Sequence, residues 1–223
     1  TEAPTIAECD QLVTLALDGS GNVTFNSSSL TLNDNCGVAS VSMQNLFTGA
    51  TGTTLDFICS DIIFGIIPIG VTVTDVSGNT TQCFVYVEIQ DTEAPTIAEC
   101  DQLITLALDG SGNATFSSNS LTLNDNCGVA SVTMQNLFTG STGTTLDFTC
   151  SDVAFGIIPI GVTVTDANGN TTQCFVYVEV QDTEAPTIAE CDQLVTLLLY
   201  SSGNTTLSSN SLTFNDNCGV ASV

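Results

Sequence analysis

The sequence predicts an all-β protein of tandem sandwich domains, and three observations predict it. A unit of 91 residues recurs almost unchanged, apolar residues alternate with polar ones at period two and never at helical spacing, and cysteines return at fixed places in each unit. The decapeptide Thr-Glu-Ala-Pro-Thr-Ile-Ala-Glu-Cys-Asp begins at Thr1, Thr92 and Thr183. The domains expected are therefore residues 1–91, residues 92–182, and residues 183–223 as the N-terminal part of a third copy. The two whole units differ at twelve positions, Val13/Ile104, Asn26/Ser117, Ile58/Thr149 and Ile89/Val180 among them, and most changes are conservative. Such neighbours point to recent duplication, and the chain reads as an excerpt from a longer array.

Taken in order along the first unit, Val13, Leu15 and Leu17 alternate with Thr14 and Ala16. Val71 and Val73 alternate with Thr72 and Thr74, and Cys83, Val85, Val87 and Ile89 share one face of a final strand. Turn signals separate these runs at Asp18–Asn22, Asn33–Gly37, Thr48–Gly52 and Asp75–Asn79. That spacing suits about seven short strands per unit, and 91 residues supply one core and not two, so an Ig-like β-sandwich stapled by disulfides is expected for each.

Charge excludes most chemistry. The 223 residues hold 24 Asp plus Glu and no Lys, Arg or His, a formal charge of -24. There is no His base, no Lys Schiff base, no Walker lysine and no Arg clamp for phosphate. Nucleic acid is excluded as a partner, because a polyanion cannot neutralise phosphates. The chain is nonetheless a folding one: 43% of residues are hydrophobic, 11% are charged, and mean hydropathy is +0.34. Its longest apolar stretch, Ile62 to Val71, is broken by Pro68 and reaches about half of the roughly 20 residues that cross a bilayer, so no membrane span is expected. The start at Thr1 carries no initiator Met and no basic leader, which places any secretion signal outside this segment. Paired carboxylates are the only catalytic groups left. They fall mostly in turns, Asp18-Gly-Ser-Gly is not the Asp-Thr-Gly of aspartic proteases, and a 91-residue unit has little room for a substrate cleft, so no enzyme is expected.

Asp91-Thr-Glu-Ala-Pro-Thr-Ile, Asn33-Asp-Asn-Cys-Gly and the closing Ile67-Pro-Ile-Gly-Val-Thr-Val-Thr-Asp-Val-Ser-Gly-Asn-Thr-Thr-Gln-Cys83 resemble the hyalin-repeat (HYR) domain, an Ig-like module strung in tandem in secreted and surface proteins. The resemblance covers both whole units and the start of the third. It implies an extracellular or cell-surface location and an adhesive or structural role without catalysis. Two departures stand out: Gly19 to Asn22 occupy the place of the usual cysteine near the first hairpin, and Cys59 is added.

Each unit carries four cysteines, at 9, 36, 59 and 83 and at 100, 127, 150 and 174, with Cys191 and Cys218 in the fragment. No Cys-x-x-Cys knuckle and no His favours a metal, so these read as disulfides formed in an oxidising compartment. Four cysteines allow three connectivities. Cys9 is in phase with inward Val13 and Leu15 on the first strand and Cys83 opens the last, and those strands run side by side in an Ig-like sandwich. The expected pairs are Cys9 with Cys83 and Cys36 with Cys59, hence Cys100 with Cys174 and Cys127 with Cys150.

Two surfaces remain. Asp91, Glu93, Asp125 and Asp166 are expected to converge where the first unit meets the second, and Asp182, Glu184 and Asp216 at the next junction. A chain with no cation of its own has reason to recruit Ca²⁺, which takes six to eight oxygen ligands. Phe84, Tyr86, Phe175 and Tyr177 point away from the core face of their strands and form a candidate interface with other copies of the chain or neighbouring repeats. Asn-x-Ser/Thr acceptors for glycosylation occur at Asn22, Asn26, Asn79, Asn113, Asn170 and Asn204. The function expected is a non-enzymatic segment of a surface filament, stalk or adhesin. The alternative is a calcium-dependent multivalent binding module for a glycan or protein ligand.

Overall fold

The computed structural model describes residues 2–222; Thr1 and Val223, which open the first repeat and end the third copy, lie outside the described residues. The first repeat is organised by its two longest strands. Numbered along the chain, its strands are β1 (Thr5–Ile6), β2 (Leu12–Ala16), β3 (Asn22–Asn26), β4 (Leu32–Asn33), β5 (Val38–Asn45), β6 (Thr51–Gly52), β7 (Thr54–Ile58), β8 (Ile66–Asp75) and β9 (Thr80–Gln90). Strict alternation in Ile66–Asp75 and in Val85–Ile89 lets β8 and β9 pair antiparallel with one face buried. β9 then carries β2 on its other edge as a parallel neighbour, Leu12 opposite Tyr86 through Ala16 opposite Gln90.

The five-stranded sheet runs β2-β9-β8-β5-β6, and the pairs β3-β7 and β1-β4 complete the sandwich. Met43, Ile67, Ile69, Val71, Val73, Val85 and Val87 line its inner face and pack with Phe25, Leu55 and Phe57 from β3 and β7 and Ile6 from β1. Each fully buried aliphatic or aromatic side chain contributes about 1.5–3 kcal/mol of transfer free energy. The strand count is nine against the roughly seven expected, because β1, β4 and β6 are two-residue pairings.

The second repeat repeats this plan with β10 (Thr96–Ile97), β11 (Leu103–Ala107), β12 (Asn113–Ser117), β13 (Leu123–Asn124), β14 (Val129–Asn136), β15 (Thr142–Gly143), β16 (Thr145–Thr149), β17 (Ile157–Asp166) and β18 (Thr171–Gln181). Its sheet order is β11-β18-β17-β14-β15. Among the described residues the strands of the third copy are β19 (Thr187–Ile188) and β20 (Phe214–Asn215), paired with each other, with one 3₁₀ turn over Ser209–Ser211. By backbone contacts the chain divides into two compact units. One runs to Thr96 and takes in Leu123–Ser131 and Thr165–Thr172; the other holds Ile97–Thr122, Val132–Val164 and the chain from Gln173. No helix among the described residues is long and apolar enough to cross a membrane.

Disulfides join Cys9 to Cys83 and Cys100 to Cys174. The expected Cys36–Cys59 and Cys127–Cys150 pairs are not formed. Cys59 is bonded to Cys127 and Cys150 to Cys218, while Cys36 and Cys191 are free and exposed. The reason is the direction of β8. Cys36 sits beside the end of that strand, where Val38 pairs with Asp75 and the Val76 N–H donates to the Gly37 carbonyl. Cys59 precedes its beginning, next to Ile58, which pairs with Asn22. Ten residues of strand cover about 30 Å, and a disulfide needs Cα atoms within about 7 Å.

Candidate functional site

The site is built from turns at the end of the first repeat where β9 leaves the sheet. Asp18 closes the β2–β3 turn: its Oδ1 accepts from the Ser20 and Asn22 N–H groups at 2.9 and 3.0 Å, and its carbonyl accepts from the Gly21 N–H at 2.8 Å. Gly21 is required there twice over. Its φ is +72°, and a Cβ would stand 2.6 Å from both the Cys59 sulfur and the Asn126 carbonyl oxygen. Cys59 opens a 3₁₀ turn over Cys59–Phe64, capped by Asp61, whose Oδ2 accepts from the Ile58 N–H at 2.8 Å. From there it bonds Cys127, with Cα atoms 5.4 Å apart. Asn126 adds a hydrogen bond from Nδ2 to the Asp18 carbonyl at 3.1 Å. The Cys59 sulfur lies 3.3 Å from the Asn126 carbonyl, which is a packing contact, since a bonded sulfur has no hydrogen to donate.

Beside this staple, in the same compact unit, Asp91, Asp125 and Asp166 each present a carboxylate oxygen within 4.8 Å of the others. Asp91 and Asp166 are 8% and 2% exposed. Asp166 ends β17, and its Oδ1 accepts from the N–H groups of Asn168, Gly169 and Asn170, its Oδ2 from the Asn170 amide at 2.7 Å. Burial pushes this carboxyl up, but the Asn170 amide and those backbone N–H groups more than offset it and hold it below the usual carboxylate value. Asp91 accepts from the Glu93 N–H at Oδ1 and from the Asn168 amide at Oδ2, 2.8 Å away. Asp125 accepts from the Cys127 N–H at Oδ1. Its Oδ2 is buried and has no hydrogen-bond partner. Three ionised carboxylates at this spacing repel by on the order of 3 kcal/mol per pair at an effective dielectric of 20. The chain contains no Lys, Arg or His to relieve that repulsion.

The other acids named from sequence lie elsewhere. The Glu93 carboxylate approaches Gly19, and that of Glu184 approaches Gly110. Asp216 accepts from the Cys218 N–H, and among the described residues Asp182, Glu184 and Asp216 form no cluster of three acids. Phe84 and Phe175 are each 47% exposed, while Tyr86 and Tyr177 are half-buried. Phe84 borders an open concavity of about 490 Å³ floored by Gly70 and edged by Leu46, Gln44 and Gln82, and Phe175 borders its counterpart in the second repeat. Of the Asn-x-Thr acceptors, Asn79 and Asn170 have their amides committed to Asp75 and Asp166. Asn168, in the Asp166–Asn168 turn that the sequence places opposite Asp91 and where the first repeat has Ser77, links Asp91 to that turn and is one of the few positions at which the repeats differ.

No protein-family model matches the chain, and no curated protein matches it. Among solved structures it is similar to titin domains Z1Z2 in complex with telethonin, at 11% identity over 82% of this chain and 99% of that one, with a TM-score of 0.38. The insect immune protein hemolin is similar at 11% identity over 80% of this chain and 47% of that one, with a TM-score of 0.49. Domains EC1-2 of human mucin-like protocadherin are similar at 14% identity over 82% of this chain and all of that one, with a TM-score of 0.38.

Proposed function

We propose that the chain is a tension-carrying segment of a non-enzymatic extracellular repeat array, a stalk, surface adhesin or filament. The observation that supports this reading is the stagger of the four disulfides. The loops closed by Cys9–Cys83, Cys59–Cys127, Cys100–Cys174 and Cys150–Cys218 overlap in succession, so every residue from 9 to 218 lies inside at least one covalent ring. Pairing confined to each repeat would leave the link at residues 84–99 outside any ring. With the stagger, pulling the ends cannot draw out the folded chain while the bonds hold, and one backbone cut between Cys9 and Cys218 releases no fragment. Loops of 68 and 74 residues each stabilise the fold by about 4.5 kcal/mol on the chain-entropy model. Such bonds persist in oxidising compartments, which supports an extracellular or surface location.

A multi-chain filament is the finer form of this reading in which Phe84, Tyr86, Phe175 and Tyr177 meet a neighbouring copy; replacing all four with Ser would then abolish assembly. The calcium-dependent binding module draws support from the Asp91–Asp125–Asp166 cluster, while the near-identity of the two repeats favours one repeated contact over distinct specificities. Single-molecule pulling of the full chain by its two ends separates a tension-carrying array from a passive one. Extension should be short in oxidising buffer and increase several-fold after reduction, as residues 9–218 are freed. Equal extension with and without reductant would overturn the proposal.

A further inference from the structure

We propose that the Asn33–Cys36 turn is a covalent docking surface for a further repeat of this kind, whose sulfur at the Cys59 position forms a disulfide with Cys36. The proposal rests on the reading of the chain as a segment of a linked array. What carries it is not the free thiol but the same turn 91 and 182 residues on, which is occupied in both places. There Cys127 is bonded to Cys59 and Cys218 to Cys150. Asn126 and Asn217 donate from Nδ2 to the Asp18 and Asp109 carbonyls at 3.1 and 3.0 Å, and their own carbonyl oxygens would stand 2.6 and 2.7 Å from a Cβ on Gly21 and Gly112.

The turn in the first repeat already has the occupied shape. The Cys36 N–H donates to Asp34 Oδ1 at 2.8 Å, as those of Cys127 and Cys218 do to Asp125 and Asp216 at 2.9 Å. Gly37 holds a φ of +100°, against +100° and +93° at Gly128 and Gly219. Only the outward side differs. Asn35 and Cys36 are exposed where Asn126, Cys127, Asn217 and Cys218 are half-buried, and the Asn35 amide donates to the Glu2 carboxylate at 3.3 Å instead of to the Asp carbonyl of another repeat. Glu93, the counterpart of Glu2, lies toward Gly19 of the repeat before it, which leaves the Asn126 amide to Asp18. A turn set in its bound conformation loses little order on docking. Among the described residues the other free thiol is Cys191, the counterpart of Cys9, which pairs within its own repeat, so the occupant is another repeat. Closure is exchange with a small-molecule disulfide: the two thiols lose two protons and two electrons, the S–S bond forms, and the oxidant leaves as two thiols.

The test is the full chain extended by one more copy of residues 92–182 placed directly before Thr1, refolded in a glutathione redox buffer and alkylated unreduced. Four cysteines are added, yet the free thiols should remain two, Cys191 and Cys127 of the added copy, with a peptide joining Cys150 of that copy to Cys36. With Cys150→Ser in the added copy, alkylation of Cys36 in the folded chain should be several-fold slower than in the parent, since docking covers the turn without the bond. Four free thiols, a bond between Cys127 and Cys150 inside the added copy, a dimer joined through Cys36, or an unchanged alkylation rate would each overturn the assignment. The Cys9–Cys83 and Cys59–Cys127 bonds, mapped in the same digest, separate the two readings. Their persistence beside a free Cys36 overturns this docking surface alone, and loss of Cys59–Cys127 overturns the linked array as well.

Discussion

Gln11–Leu15 and Gln193–Leu197 are the same five residues, Gln-Leu-Val-Thr-Leu, and they meet different fates. In the first repeat Leu12–Ala16 forms β2, Val13 and Leu15 are half-buried, and Leu17 beyond them is 6% exposed. In the third copy residues 193–199 form no strand, Val195 and Leu197 are 43% and 44% exposed, and Leu199, the counterpart of Leu17, is 68% exposed. The difference is β9. β2 exists as the parallel neighbour of a strand more than 70 residues downstream, and the third copy has no such strand within this chain. Alternation of apolar residues therefore marks a segment able to be a strand, while the partner decides whether it becomes one. The local devices survive without the partner. Asp192 keeps the φ of 60° seen at Asp10 and Asp101, Ser208 caps its 3₁₀ turn, and the Thr213 N–H still donates to Glu190 as the Thr31 N–H does to Glu8.

The comparison can be tested at full strength by supplying the missing partner. Appending residues 42–91 after Val223 should turn 194–198 into a strand and raise its amide protection by orders of magnitude, as hydrogen exchange would report. Unchanged exchange would mean that something other than β9 forms β2. Core truncation comes next. Phe57→Ala should cost about 3–5 kcal/mol, whereas Leu199→Ala should stay within about 0.5 kcal/mol, read from denaturant melts.

Smaller again is the contrast between two glycines of equal conformation. Gly21→Ala meets two fixed atoms at 2.6 Å and should cost about 1–3 kcal/mol and slow closure of Cys59 with Cys127. Gly203→Ala, also left-handed at φ +82° but with open space around it, should cost about 1 kcal/mol locally and leave every disulfide unaffected. The smallest effect is on pH. For Glu8, burial pushes the carboxyl up, yet the backbone and hydroxyl bonds from Thr31 outweigh it, so the folded group titrates below 4.5. Its contribution is complete above that value and is lost as pH falls through the lower folded one. Glu8→Gln should therefore flatten the parent's loss of stability on acidification below about pH 5, measured as a difference so that general discharge of the acidic chain cancels.

Much of this was legible in the sequence, and what was not has a common cause. Alternation in Val71–Asp75 and Cys83–Ile89 gave the sheet, and the phase of Cys9 with Val13 put it near Cys83. Both are local patterns read on a known fold class. The partner of Cys59 was not local. The ten-residue β8 separates the sites of Cys36 and Cys59, and following its direction would have placed them at opposite ends of the repeat. The acid cluster was half legible: Asp91, Asp125 and Asp166 were expected to converge, but Glu93 turns toward Gly19, and the orphaned Asp125 oxygen is a property of packing that spacing does not encode.

Disulfides link successive repeats, and a disulfide map of the unreduced chain reads that linkage bond by bond. Trypsin has nothing to cut here, so a protease specific for acidic residues is needed, followed by mass spectrometry after alkylation of free thiols. Peptides joining Cys59 to Cys127 and Cys150 to Cys218 are expected, with alkylation confined to Cys36 and Cys191. A peptide joining Cys36 to Cys59, or Cys127 to Cys150, would contradict that linkage.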